Sequence, residues 1–228
     1  MNLRGTLIIL VCSLVGAILG AVIVILLMAA GVFDFLHKPM PTSAWGSFTG
    51  TPKVELLDDG RQLRLLEDFA YIDPRGKLWA APKNSQVDGA SIPQVFWSLT
   101  GGPLEGEFRN ASIVHDVGCV RMSEPWEDVH FMFYEACRCG GLPENKAKIM
   151  YAAVYHFGPR WEVRALMEVS KVIDSQGQPV KKTIIVHQPK RTKSGEQPGA
   201  DVREKLEKYV NEKNPSLNEL KKLDPRSL

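Results

Sequence analysis

The chain has 228 residues, of which 24% are charged and 8% aromatic, with a formal net charge of +2. That near-neutral balance excludes a strongly basic nucleic-acid binder, and no nucleic-acid partner is expected. Setting aside an apolar start and a polar end leaves roughly 150 residues, a common single-domain size that buries a core without disulfide staples.

From Thr6 to Phe33 no residue is charged, a run of about 28 residues and roughly 42 Å of helix. A bilayer core is roughly 30 Å thick, so residues 1–38 read as a membrane anchor whose partner is the lipid bilayer. A cleaved signal peptide is the alternative, but its apolar core is roughly 7–15 residues and this run is longer. Gly16 and Gly20, with Ser13, Ala17 and Ala21 beside them, form a small-residue stripe suited to helix–helix self-association. Arg4 before the span and Lys38 and Lys53 after it settle orientation poorly. An uncleaved, single-pass anchor with the globular part exported is the expectation.

Residues 39–53 read as a linker, because Pro39 and Pro41 stop the helix. Asp34 to Thr42 reaches at most roughly 30 Å, so the domain stays near the bilayer. The globular domain is expected over residues 54–187. Val54–Leu57 and Gln62–Leu66 flank Asp58-Asp59-Gly60-Arg61 and predict a hairpin, since Asp-Gly is a strong turn dipeptide. Phe69–Ile72 and Lys77–Ala81 flank Asp73-Pro74-Arg75-Gly76 and predict a second. Ile92-Pro93 opens a short helix through Leu99. Apolar spacing then predicts helices over Glu107–Gly118, Glu124–Cys139 and Pro143–Phe157, with Gly140-Gly141 ending the second. Val163–Val172 suits a helix, while Val172–Asp174 and Thr183–Val186 suit a hairpin. Residues 188–228 are so polar that they read as a charged, disordered tail, apart from a short helix at Asp201–Glu212. The fold class is therefore α+β: a transmembrane helix, then a small antiparallel sheet packed against a three-helix cluster.

Three places carry candidate chemistry. Asp88 lies in Val87-Asp88-Gly89-Ala90-Ser91-Ile92-Pro93. It reads as a ligand or base, or with Ser91 as a helix cap, and Gly89 as a special backbone angle. Ser91 lacks the glycine-flanked elbow of a nucleophile. His115-Asp116 pairs an imidazole with a carboxylate, which suits a divalent metal or an acid/base couple. His130 lies on the next helix and faces His115 if the two helices pack antiparallel. His115, Asp116 and His130 would then hold a divalent metal ion with water completing its sphere, and with Asp88 they form the candidate catalytic set. His156 reads as a packed residue. Outside the apolar run there are three cysteines, an odd number that fits a disulfide framework poorly. In an exported domain a bridge from Cys119 to the next helix is favoured. Cys119, Cys137 and Cys139 could also contribute to a structural zinc site with His115, since Cys119 is one turn beyond it, but the spacing matches no Cys-x-x-Cys pattern; otherwise the thiols are inert.

The run Val87–Pro93 followed by Phe96-Trp97, then Ala111 to His115-Asp116, Phe133-Tyr134-Glu135-Ala136, Phe157-Gly158 and Trp161 resembles domain of unknown function 1353 of bacteria and tailed phages. The resemblance covers roughly Val54 to Trp161. Where that family often has aspartate, three residues before the Phe-Tyr-Glu-Ala segment, this chain has His130, which favours a polar site over packing and removes a fixed negative charge. The resemblance implies a phage or prophage association and supplies no established reaction. The functional expectation is a membrane-anchored, metal-dependent hydrolase-like domain acting near the cell envelope. The alternative is a non-catalytic phage assembly or host-surface interaction module. An enzyme requires Asp88, His115, Asp116 and His130 to converge on one accessible cleft.

Overall fold

Turn chemistry places the first strands. In the computed structural model, which describes residues 43–89, 91–99, 106–173 and 178–228, Asp59 Oδ1 accepts the N–H groups of Arg61 and Gln62 and closes the first hairpin. That turn joins β2 (Val54–Leu56) to β3 (Leu63–Leu65), which are antiparallel in the expected register. Asp73 closes the second turn in the same way, between β4 (Phe69–Ile72) and β5 (Leu78–Ala81).

The single small sheet expected from the sequence is in fact two. β1 (Ser47–Phe48) joins the order β1-β4-β5, while β6 (Gln86–Val87) joins β2-β3-β6. Segments expected to be linker therefore already belong to the fold. Tyr71 donates its hydroxyl to the Trp45 carbonyl at 2.6 Å, and Trp45 packs edge-on against Tyr134.

After a 3-10 turn at Gln94–Leu99 come three helices: α1 (Arg109–Arg121), α2 (Trp126–Cys139) and α3 (Glu144–Phe157). Pro125 and Pro143 precede α2 and α3, and acidic Glu127, Asp128 and Glu144 sit in their first turns, where they complement the helix dipole. α1 stops at Met122, whose left-handed backbone (φ 51°) returns its N–H to Gly118 O. α1 packs on the sheet through β5 and β4, and α2 lies between α1 and α3. Ile113, Val129, Met132, Phe133, Met150 and Tyr151 fill the core without exposure.

Two segments differ from expectation. β7 (Arg160–Ile173) and β8 (Pro179–Lys193) form one long antiparallel ribbon, so Val163–Val172 is strand rather than helix. Its length matches the mostly alternating pattern from Arg160 to Glu168, which a helical reading overlooks. Beyond it, the short helix expected at Asp201–Glu212 is present as α4 (Ala200–Lys213), and the tail expected to be disordered around it also carries α5 (Leu217–Lys222). Val202, Leu206 and Val210 recur every fourth residue, and this stripe is buried, with α4 lying on α3. α5 is closed by a capping box in which Ser216 and Glu219 satisfy each other's N–H groups. His156 Nε2 meets the Leu220 carbonyl at 2.7 Å, adding a polar tie. Val210→Ala is expected to cost about 1.5–2.5 kcal/mol by urea denaturation, which an unordered tail would not register.

No helix among the described residues is long and apolar enough to cross a membrane. The expected span at Thr6–Phe33, with its Gly16/Gly20 stripe, lies outside the described residues.

Candidate metal centre

On a helix, residues four apart share a ridge, and consecutive residues diverge by about 100°. That geometry decides which neighbours of His115 join it. Cys119 lies one turn along α1 on the same ridge, and its Sγ is 3.7 Å from His115 Nε2. From α2, His130 brings Nδ1 to 2.8 Å from the same nitrogen. The three donor atoms all lie within 4.8 Å of one another.

The approach of α1 to α2 depends on a glycine. A Cβ at Gly118 would stand 2.8 Å from Val129 Cγ1, so only hydrogen fits beside the residue that precedes His130. Gly158 is similarly tight, with an added Cβ reaching 3.1 Å from the His130 ring.

His130 Nε2 lies 3.1 Å from the Pro159 carbonyl, which can only accept. The proton therefore sits on Nε2, and Nδ1 presents its lone pair to the cluster. An outer partner that fixes the tautomer in this way is usual behind a ligating histidine. Burial pushes His115 well below its ordinary range, with His130 adding to the effect. Burial also pushes His130 down to about 3, although the Pro159 carbonyl pulls the other way. Both rings are thus neutral, the form that binds metal. Burial raises the Cys119 thiol, with Asp116 reinforcing it. Phe133 lies 4.6 Å from the His115 ring, and Trp126 5.6 Å from that of His130, so the walls are aromatic and dry.

The other expected residues go elsewhere. Asp116 turns away from the cluster: its Oδ2 accepts the Gly89 N–H at 2.6 Å, clamping the loop before the 3-10 turn. Gly89 has φ +69°, the special angle anticipated for it. Burial raises the Asp116 carboxyl to about 6, with Gly89 and Ser91 pulling it back. Its Oδ1 is buried with no hydrogen-bond partner. Asp88 is half-buried and borders a shallow surface depression with Gln62, Asn84, Gln86 and Val120. His115 and His130 are wholly buried and Cys119 is 1% exposed; they do not line that depression. The structure thus joins His115 to His130, adds Cys119, and leaves Asp88 and Asp116 apart. Cys119, Cys137 and Cys139 are all free thiols, so the expected bridge from Cys119 to the next helix is absent.

The donor set suits a borderline-soft divalent ion. Tetrahedral zinc, with bonds of about 2.05 Å to nitrogen and 2.3 Å to sulfur, separates N and S by about 3.5 Å and two nitrogens by about 3.3 Å. The Cys119–His115 separation already fits. The two histidines must open by about 0.5 Å, and Cys119 and His130, within 4.8 Å of each other, must come to about 3.5 Å.

Comparisons with known proteins are silent on chemistry. Two curated relatives are both from Sinorhizobium fredii (strain NBRC 101917 / NGR234). The uncharacterized protein y4jT is 45% identical over 119 residues, covering 51% of this chain and 35% of the relative. The uncharacterized protein y4iH is 38% identical over 115 residues, covering 50% of this chain and 48% of the relative. The chain thus spans half or less of the length of these relatives. No solved structure matches. Residues 63–154, which include Asp88, His115, Asp116, Cys119 and His130, match the family described as "Protein of unknown function (DUF1353)".

Proposed function

We propose that this chain is a membrane-tethered domain in which His115, Cys119 and His130 hold one divalent transition-metal ion, zinc by donor chemistry, as a structural clamp between α1 and α2. One observation carries the metal reading: two imidazole nitrogens and a thiol sulfur, all buried, converge within 4.8 Å. Mixed nitrogen and sulfur donors favour zinc over oxygen-seeking calcium or magnesium. The tether rests on the uncharged run from Thr6 to Phe33. A clamp of this kind serves a non-catalytic interaction module held near the bilayer.

A second reading, a hydrolase-like centre, is favoured by the unpartnered Asp116 Oδ1 one residue from His115. Water activation needs an open coordination position. Three donors leave a fourth position for water, and the burial of all three argues that this position is closed to substrate.

One preparation of the full chain tests both parts. After alkaline washing of membranes the chain should stay in the membrane fraction, and the purified protein should carry one zinc per chain by elemental analysis. His115→Ala and Cys119→Ser should lose the metal, while Asp116→Asn should keep it. Equal metal in wild type and His115→Ala overturns the clamp. In cobalt-loaded protein, a visible spectrum unchanged by azide indicates a closed site; a shift with azide restores the hydrolase reading.

A further inference from the structure

Each strand of the long ribbon is tied at its base to a different member of the cluster. His130, whose Nδ1 faces the site, meets the carbonyl of Pro159, the residue before β7, through Nε2. Cys119, whose sulfur faces the site, accepts at its own carbonyl from Arg191 Nη2 of β8 at 3.0 Å. Trp161 and Arg191 are register partners, so both ties meet near one rung. Trp161 is buried, donates its indole N–H to the Glu124 carbonyl at 2.7 Å, and lies 6.4 Å from the His130 ring. Arg160 stacks its guanidinium 4.5 Å above Trp126, which itself touches His130.

We propose that the His115–Cys119–His130 site regulates the β7–β8 ribbon: a bound metal ion fixes the ribbon base, and loss of the ion loosens it. This rests on the metal reading above. Among the described residues this sheet has two strands, β7 and β8, and an isolated two-stranded ribbon is at best marginally stable in water. Its order therefore depends on where it is anchored. Without metal, a single hydrogen bond of 2.8 Å joins the His115 and His130 side chains. With metal, both nitrogens and the Cys119 sulfur are held by coordinate bonds; the proton that His115 Nε2 donates to His130 moves to His115 Nδ1, and the thiol gives up its proton to solvent. Coordination at His130 Nδ1 also polarises the opposite N–H, which strengthens the bond to Pro159. The clamp between the helices is thus a lock on the ribbon.

Hydrogen exchange read by mass spectrometry on the full chain in detergent micelles tests this, with zinc added or removed by chelator. Amides of 160–163 and 190–193 should exchange at least about tenfold more slowly with zinc. β4, at Phe69–Ile72, reports the rest of the fold. Arg191→Met removes the β8 tie without replacing a ligand; it should keep full zinc content yet lose the zinc-dependent protection of 190–193. If chelation also unravels β4, the Arg191→Met comparison in zinc decides, because its ribbon base must exchange faster than wild type. Zinc bound with ribbon exchange unchanged, or Arg191→Met protected like wild type, overturns the lock and leaves the clamp standing. Absence of zinc binding overturns both.

Discussion

The zinc-loaded chain is expected to unfold roughly 8–16 °C above the same chain stripped by chelator. Mass action sets the scale: free metal at a thousand times its dissociation constant stabilises the fold by about 4 kcal/mol. A protein of this size gains roughly 2–4 °C per kcal/mol. Removing the ion leaves neutral, mutually hydrogen-bonded imidazoles, so the stripped protein stays folded. His115→Ala and Cys119→Ser should abolish the zinc-dependent shift in differential scanning calorimetry. Cys119→Ser is the sharper probe, because it keeps the side-chain shape and removes only the soft donor. Magnesium should give no shift, since it prefers oxygen ligands and keeps its water. A melt indifferent to zinc would falsify the clamp.

Much of the helical and hairpin layout was legible because its signals are local. Asp-Gly at 59–60 and the apolar spacing of α1 to α3 act within a few residues of themselves. The site was half legible. His115 and His130 could be paired once two antiparallel helices were assumed, but the third donor was assigned to Asp116, the sequence neighbour. Helix geometry assigns it to Cys119, which shares the ridge, while Asp116 is turned about 100° toward the Gly89 loop. The His-x-x-x-Cys spacing was the available signal, and it was discounted for want of a Cys-x-x-Cys partner. In the tail the short helix at Asp201–Glu212 is legible and its packing is not. Three buried apolar residues in fourteen cannot order a helix alone; α4 is held by α3, whose sequence is apolar on most sides and so gives no hint that one face awaits a partner. The ribbon was missed because Val, Met and Leu at short spacing satisfy either period until the pairing strand is known.

Asp73→Ala is expected to cost about 2–3 kcal/mol, because the buried carboxylate is the shared acceptor of the turn and its loss strands those donors, while the half-exposed Arg75 keeps solvent and Glu135. Asp73 has no exposed surface, yet five donors converge on it. Oδ1 accepts from the N–H groups of Arg75 and Lys77, both at 2.9 Å. Oδ2 accepts from Arg75 Nη2 at 2.7 Å, Arg75 Nε at 3.2 Å and the Trp79 indole at 3.3 Å. Arg75 Nη2 also reaches Glu135 Oε2 on α2 at 2.7 Å, so the β4–β5 turn is latched to the helical layer through one guanidinium. Burial by itself would raise the Asp73 carboxyl; Arg75, Lys77 and Trp79 outweigh it and hold the group below its ordinary value of 3.8. The ionised form therefore stabilises the fold. That contribution is fully present above the ordinary carboxylate range and disappears as pH falls through the lowered folded-state value. Glu135 has the opposite sign, because burial, only partly offset by Arg75, raises its carboxyl. Comparing wild type with Asp73→Asn isolates the first effect: the variant should lie well below wild type at pH 7, and the two melting curves should converge toward pH 2. Parallel curves across that range would remove the charge from the argument and leave Asp73 as a turn former alone.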